Sequence, residues 1–481
     1  MRSGPIEWAD THGLPPVPRM RAGGACYSGG VTLTPIAGRP NLLVGAFDLA
    51  TLGYQAQEYF VSGTARSFAP AAEPATADYT TRIVVLRPLE PGPGTDTAIV
   101  EWLNVSGGID APAFWLMAHR EIARAGHVHV AVSAQRVGVE GGGVSIAPGM
   151  SLKELDPQRY SELHHPGDAY AYDIYTQIGQ LVRAGAIEGV EPRTVLAAGE
   201  SQSAMFLTTY INEVDPQAAT YDGYLVHSRF GSGAPLDGSS ILDESGSAIG
   251  PPAPFRSDLR VPVLTVITET DVLGAVLPGY RLARQPETTR LRVWEIPGSA
   301  HADIYTIRAG FIDNGLLTTA ELAAAFAPTD VLMGQQLPYS INFAPQHHYV
   351  LQAAIPALRE WVRTGRAPSS APPIQLTDAD PVAIQRDELG VAIGGVRTPW
   401  VDVPTATTTG NSPGGEMLAL LFGTGEPYDR ATLNRLYPGG VDEYLRRFTE
   451  ALDRSIEAGF LCDEDRAEIL DLARTDAVTR L

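Results

Sequence analysis

The segment Thr194 to Thr209 (TVLAAGESQSAMFLTT) constrains the fold more than any other part of the chain. A β-branched apolar run, Thr194 to Ala198, enters Gly199-Glu200-Ser201-Gln202-Ser203, and a helical pattern follows from Gln202 to Ile211. A strand that turns directly into a helix lifts the residue at the turn above the sheet. The residues two before and two after must be small, because strand and helix backbones come close there. Gly199 and Ser203 meet that need, although the common form of the motif ends in Gly. The bare string would be weak evidence; the strand–turn–helix context marks Ser201 as a nucleophile.

The surrounding chain alternates strand and helix. Strand patterns fall at 81–87 (TRIVVLR), 97–105 (TAIVEWLNV), 127–133 (HVHVAVS), 194–198, 221–227, 261–268 (VPVLTVIT) and 291–296 (LRVWEI). Helical spacing fills 113–125, 168–184 and 349–363, the first two closed by Gly126 and Gly185. This alternation predicts a mostly parallel central sheet with helices on both faces. Three regions follow: strands and covering loops over 1–80, an α/β core over 81–366, and a helical extension over 367–481. Within the core, 231–260 and 302–348 lack strong periodicity and read as cap or pocket insertions.

A serine hydroxyl is a poor nucleophile at neutral pH and needs a base. On the α/β-hydrolase fold the order is Ser, acid, His. His301 follows the 291–296 strand in a small-residue loop, Pro297-Gly298-Ser299-Ala300, where this fold carries its base. The acid is expected in Glu269-Thr270-Asp271, at the end of the 261–268 strand. Asp271 is the first choice and Glu269 the second, the other serving as a supporting hydrogen-bond acceptor. An oxyanion hole needs two backbone N–H groups. Gln202, next to the nucleophile, supplies one; Val105 or Ser106, in the Gly-rich loop Asn104 to Gly108, supplies the other.

Net charge is −20, which argues against nucleic-acid and anionic-membrane partners, since both call for a basic surface. No apolar run approaches the roughly 20 residues of a membrane span, and no secretory signal is visible at the start, so a cytoplasmic location is expected, with a secreted form whose signal has been removed as the alternative. Two cysteines, Cys26 and Cys462, read as buried thiols rather than a bridge. His127 with His129, His164-His165 and His347-His348 show no metal-ligand spacing, so no metal and no cofactor is expected. Asp168 and Asp173 are candidate anchors for loops behind Ser201. Tyr305, Phe343 and Trp400 suit either a pocket wall or the core, with the 396–400 segment a further candidate wall.

With these residues in place, the chain resembles the large bacterial α/β-hydrolase domain-containing proteins. The likeness is carried by GYQAQEYFVSG (53–63), VEWLNVSGG (100–108), RYSELHHPGDAYAYDIYTQ (159–177) and GESQSA (199–204). It continues through VPVLTVITETDVL (261–273), VWEIPGSAHAD (293–303), GVAIGGVRTPWVDVP (390–404) and EAGFLCDED (457–465). The resemblance implies an α/β-hydrolase fold and a Ser–acid–His hydrolase acting on carboxylic esters. It carries over Ser201, His301 and an acid within the ETD triplet, and names no substrate. The expectation is a serine esterase for a small-molecule ester. An amidase, lactonase or acyltransferase on the same triad is the alternative, and a non-catalytic binding protein a more distant one. Oligomeric state is not legible.

Overall fold

The computed structural model describes residues 25–26, 30–71, 73–142, 149–241, 250–275, 277–414 and 419–481. Its centre is a ten-stranded sheet. In chain order the strands are β1 (Ala25–Cys26), β2 (Thr32–Ile36), β3 (Tyr54–Arg66), β4 (Thr76–Pro88), β5 (Thr97–Trp102), β6 (Val128–Val132), β7 (Thr194–Glu200), β8 (Gly223–His227), β9 (Val263–Thr268) and β10 (Leu291–Ile296). Their order across the sheet is β1-β2-β3-β4-β6-β5-β7-β8-β9-β10. From β6 to β10 neighbours run parallel, while β1 to β4 and the β4–β6 pair are antiparallel.

The parallel strands are nearly continuous apolar runs because both faces are covered. Alternate residues go to opposite faces. Ile99, Leu196, Ala198, Leu225, Leu264, Val266 and Trp294 join one buried cluster. Ala98, Val100, Trp102, Val195, Ala197, Val226 and Val263 join the other. Helices α1 (Ala113–Ala125) and α4 (Gln346–Thr364) pack on the first face. Helices α2 (Ala171–Arg183) and α3 (Gln202–Thr209) pack on the second.

Residues 367–481 end in α5 (Gly440–Glu457) and α6 (Arg466–Arg480). Phe448, Leu452, Ile469 and Leu472 enter the same cluster as α1 and α4. Ion pairs seal that join: Arg124 to Asp465 at 2.6 Å and Arg120 to Glu468 at 3.2 Å. No helix among the described residues is long and apolar enough to cross a membrane.

The structure departs from the sequence reading at one edge. Strands β3 and β4 are each 13 residues long and pair along their full length, so a boundary at residue 80 falls inside β4. Thr and charged residues on the open stretches of these strands mask the apolar period. Helix α4 begins before Tyr349, taking in His347 and His348. Cys462 is a free, buried thiol, while the Cys26 side chain lies outside the described residues. Residues 242–249 of the 231–260 segment also lie outside them. The flanks of that segment fold back on each other, Ser232 bridging to Pro252.

Candidate active site

Strand β7 ends at Glu200, and Ser201 takes φ 57° and ψ −116° before α3 begins. A side chain in the left-handed region costs roughly 1–3 kcal/mol and persists only where the surroundings enforce it. Here the Ser201 N–H donates to the His227 carbonyl at the end of β8, at 3.0 Å. Crowding explains the small neighbours. A Cβ on Gly199 would meet the Ser203 carbonyl oxygen at 3.0 Å, and Ser203 itself is fully buried.

Ser201, His301 and Asp271 lie in one hydrogen-bonded chain. His301 Nε2 is 2.9 Å from Ser201 Oγ, and His301 Nδ1 is 2.6 Å from Asp271 Oδ1. Thr268 closes β9 and caps a short helix, Glu269–Leu273. The Thr268 N–H and hydroxyl donate to Asp271 Oδ2 at 2.8 and 2.7 Å, which aims Oδ1 at the imidazole. The His301 N–H donates to Thr270 Oγ1 at 3.1 Å, and Phe230 stacks on the ring at 5.1 Å. Burial alone lowers the proton affinity of His301, but the Asp271 charge and hydrogen bond, helped by Glu200, reverse this and raise it.

Glu269 is turned away from His301. It accepts the Gly298 N–H at 2.6 Å and the Gly410 N–H at 3.0 Å, and pairs with Arg386 at 2.7 Å. It thus ties the loop carrying His301 to the C-terminal extension. The one-turn helix separates the two acids: positions two apart on it face different sides.

The Gln202 N–H lies at the first position of α3, where no helical carbonyl can reach it. The Val105 N–H donates to the Gln202 side-chain oxygen at 3.1 Å. The Ser106 N–H is committed to its own turn, donating to Asn104 Oδ1 at 2.8 Å. Of the two loop candidates, Val105 is the one bonded to the residue that follows Ser201.

Two features escaped sequence reasoning. Glu200, beside Ser201, lies with Oε1 3.7 Å from His301 Nε2, and Asn104 Nδ2 reaches its Oε2 at 3.3 Å. Burial lifts its carboxyl to about 7, against the opposing pull of His301. Its place in GESQS was the only signal. Behind it, His227 Nε2 and His347 Nε2 are 2.8 Å apart, and His347 Nδ1 lies 3.3 Å from Asp303. Nothing in the sequence joins these three.

The remaining candidates have structural partners. His127 bonds the Gly94 carbonyl, His129 bonds Glu101 and His165 bonds the Ala134 carbonyl. Exposed His164 lies 4.0 Å from Glu140. Asp168 accepts the Arg136 N–H, and Asp173 the Arg66 N–H. Tyr305 is buried and stacked on His348 at 3.8 Å. Phe343 and Trp400 line a cavity of about 260 Å³ with Tyr444 and Asp476, a space that neither Ser201 nor His301 lines.

No curated protein matches the chain. Solved structures that resemble it include a lidless serine hydrolase of Xanthomonas campestris, 13% identical, covering 50% of this chain and 85% of that one, with a TM-score of 0.28. A thermostable esterase of Pseudomonas putida is 13% identical, covering 67% and 84%, with a TM-score of 0.27. An esterase of Pyrococcus furiosus is 10% identical, covering 53% and 88%, with a TM-score of 0.29. The family described as "Alpha/beta hydrolase domain" matches residues 17–471. That match takes in the strands, the Ser201 turn, the His301 loop and most of the C-terminal extension, and the chain belongs to this α/β-hydrolase family.

Proposed function

We propose that this protein is a serine hydrolase that cleaves a carboxylic ester of a small molecule. The observation that carries the reading is the hydrogen-bonded chain from Ser201 through His301 to Asp271, at 2.9 and 2.6 Å. Ser201 Oγ attacks the ester carbonyl as His301 Nε2 takes its proton. Asp271 fixes the tautomer that leaves Nε2 free and holds the imidazolium once it forms. The tetrahedral oxyanion is received by the N–H groups of Gln202 and Val105, the second released as the Gln202 side chain gives way. Each such donor is worth on the order of 10²–10³ in rate. His301 returns its proton to the departing alcohol, leaving an acyl group on Ser201. Water, deprotonated by His301, then frees the acid. The sequence of steps uses no metal and no cofactor.

The test is hydrolysis of p-nitrophenyl acetate and butyrate by the wild type and Ser201→Ala, beside the matched anilides. The reading predicts ester turnover that disappears in the variant, with little anilide turnover. Faster anilide turnover would move the protein to the amidases. Ester turnover that survives Ser201→Ala would contradict the assignment.

A further inference from the structure

The chain Ser201–His301–Asp271 leaves one charged neighbour unused. Glu200 Oε1 lies 3.7 Å from His301 Nε2, while Asp271 bonds Nδ1 at 2.6 Å. The imidazole is therefore flanked by a carboxyl at each nitrogen. Glu200 is held there: Asn104 Nδ2 donates to its backbone carbonyl at 3.2 Å and to Oε2 at 3.3 Å. Its side chain is 12% exposed.

The groups around Glu200 come from every element packed on it. His301 and Asp271 face it from the loops after β10 and β9, Glu101 from β5 and His347 from α4. His227 is its register partner on β8. Burial drives His227 well toward the neutral form, with His347 and His301 adding to the effect. With His227 neutral, the strongest positive charge near Glu200 during reaction is the His301 imidazolium.

We infer that Glu200 is a positioning residue acting through His301. Its carboxylate strengthens the ring's hold on the proton taken from Ser201, and it turns the site against acyl groups that carry a carboxylate of their own. The first effect follows from opposite charges at short range, the second from like charges within one site. No proton passes to Glu200: the proton leaves Ser201 Oγ, rests on Nε2 and departs with the alcohol. The carboxyl titrates near 7, so both effects strengthen as pH rises through neutrality. The inference rests on Ser201 being the nucleophile proposed above.

The experiment is the rate of Ser201 labelling across about pH 5 to 9 in wild type, Glu200→Gln and Glu200→Asp. Two probes are compared, a neutral alkyl fluorophosphonate and one whose alkyl chain ends in a carboxylate. In Glu200→Gln the midpoint for the neutral probe moves to lower pH by on the order of one unit, because His301 loses its proton more readily. The plateau rate falls roughly tenfold, the equivalent of one such unit. The preference for the neutral probe narrows, and Glu200→Asp restores part of each change. General damage to the site would lower the plateau and leave the midpoint in place. Wild-type labelling with an unmoved midpoint, or an unchanged probe preference, in Glu200→Gln overturns this inference alone. A wild type that takes neither probe overturns the serine reading and this inference with it.

Discussion

The two halves of the site are built in opposite ways. The Ser201 turn is local: strand β7, Ser201 and α3 are consecutive, and the constraints on Gly199 and Ser203 come from the next few residues. The His301 loop is assembled from a distance. Gly298 is held through its N–H by Glu269 and through its carbonyl by Asn342, and Gln346 bonds the Pro297 carbonyl. Glu269 and Thr270 reach on to Gly410 in the extension. A local element announces itself as a string of residues. A loop fixed by long-range bonds does not, and its supports are spread over more than a hundred positions.

The comparison is tested most sharply at the end of β9, where two acids two residues apart both serve the His301 half, Asp271 by bonding the ring and Glu269 by holding the loop. Asp271→Asn is expected to lower kcat for ester hydrolysis by about 10³–10⁴ while leaving the fold intact, since the wrong His301 tautomer is then favoured. Turnover read beside the melting temperature checks this. Glu269→Ala is expected to do the reverse. It strands two buried N–H groups and Arg386, and the denaturation midpoint should show a loss of about 3–5 kcal/mol. If Glu269→Ala instead abolishes turnover in a protein of unchanged stability, the division of labour drawn here is wrong.

Smaller changes sharpen the same contrast. A Cβ on Gly410 would meet the Thr270 nitrogen at 2.4 Å and Glu269 Cβ at 2.6 Å. Gly410→Ala should therefore cost about 1–3 kcal/mol in chemical denaturation. It should also disturb His301, whose N–H bonds Thr270. Glu200→Gln tests the nucleophile half by pH. The Glu200 carboxyl is raised to about 7 in the folded protein, so between its ordinary value and about 7 the folded state binds more protons than the unfolded. Stability contributed by this group therefore falls as pH rises through that window. Removing the charge should stabilise the protein by on the order of 1 kcal/mol at about pH 8 and leave it unchanged near pH 4. Paired thermal melts at the two pH values read the difference.

The same contrast sets how much was legible. The parallel strands were readable because burial on both faces makes them continuous apolar runs, and the Ser201 turn because its small flanking residues sit between a strand and a helix. His301 followed from its place after β10. The sequence left Asp271 and Glu269 as alternatives, because only the short helix capped by Thr268 sends them to opposite sides. Val105 and Ser106 stayed equal for a similar reason: only the folded loop shows that the Asn104 side chain claims the Ser106 N–H. Glu200 passed unremarked inside the motif, since its meaning depends on the distance to His301. Phe343 and Trp400 line a cavity elsewhere, which aromatic content could not foretell.

The central claim is that Ser201 is the reactive nucleophile. The most direct measurement is treatment of the native protein with a neutral fluorophosphonate, digestion, and identification of the modified peptide by mass spectrometry. The account predicts a single adduct on Ser201, absent from Ser201→Ala. A folded wild type that takes no label, or an adduct on any other residue, would contradict it.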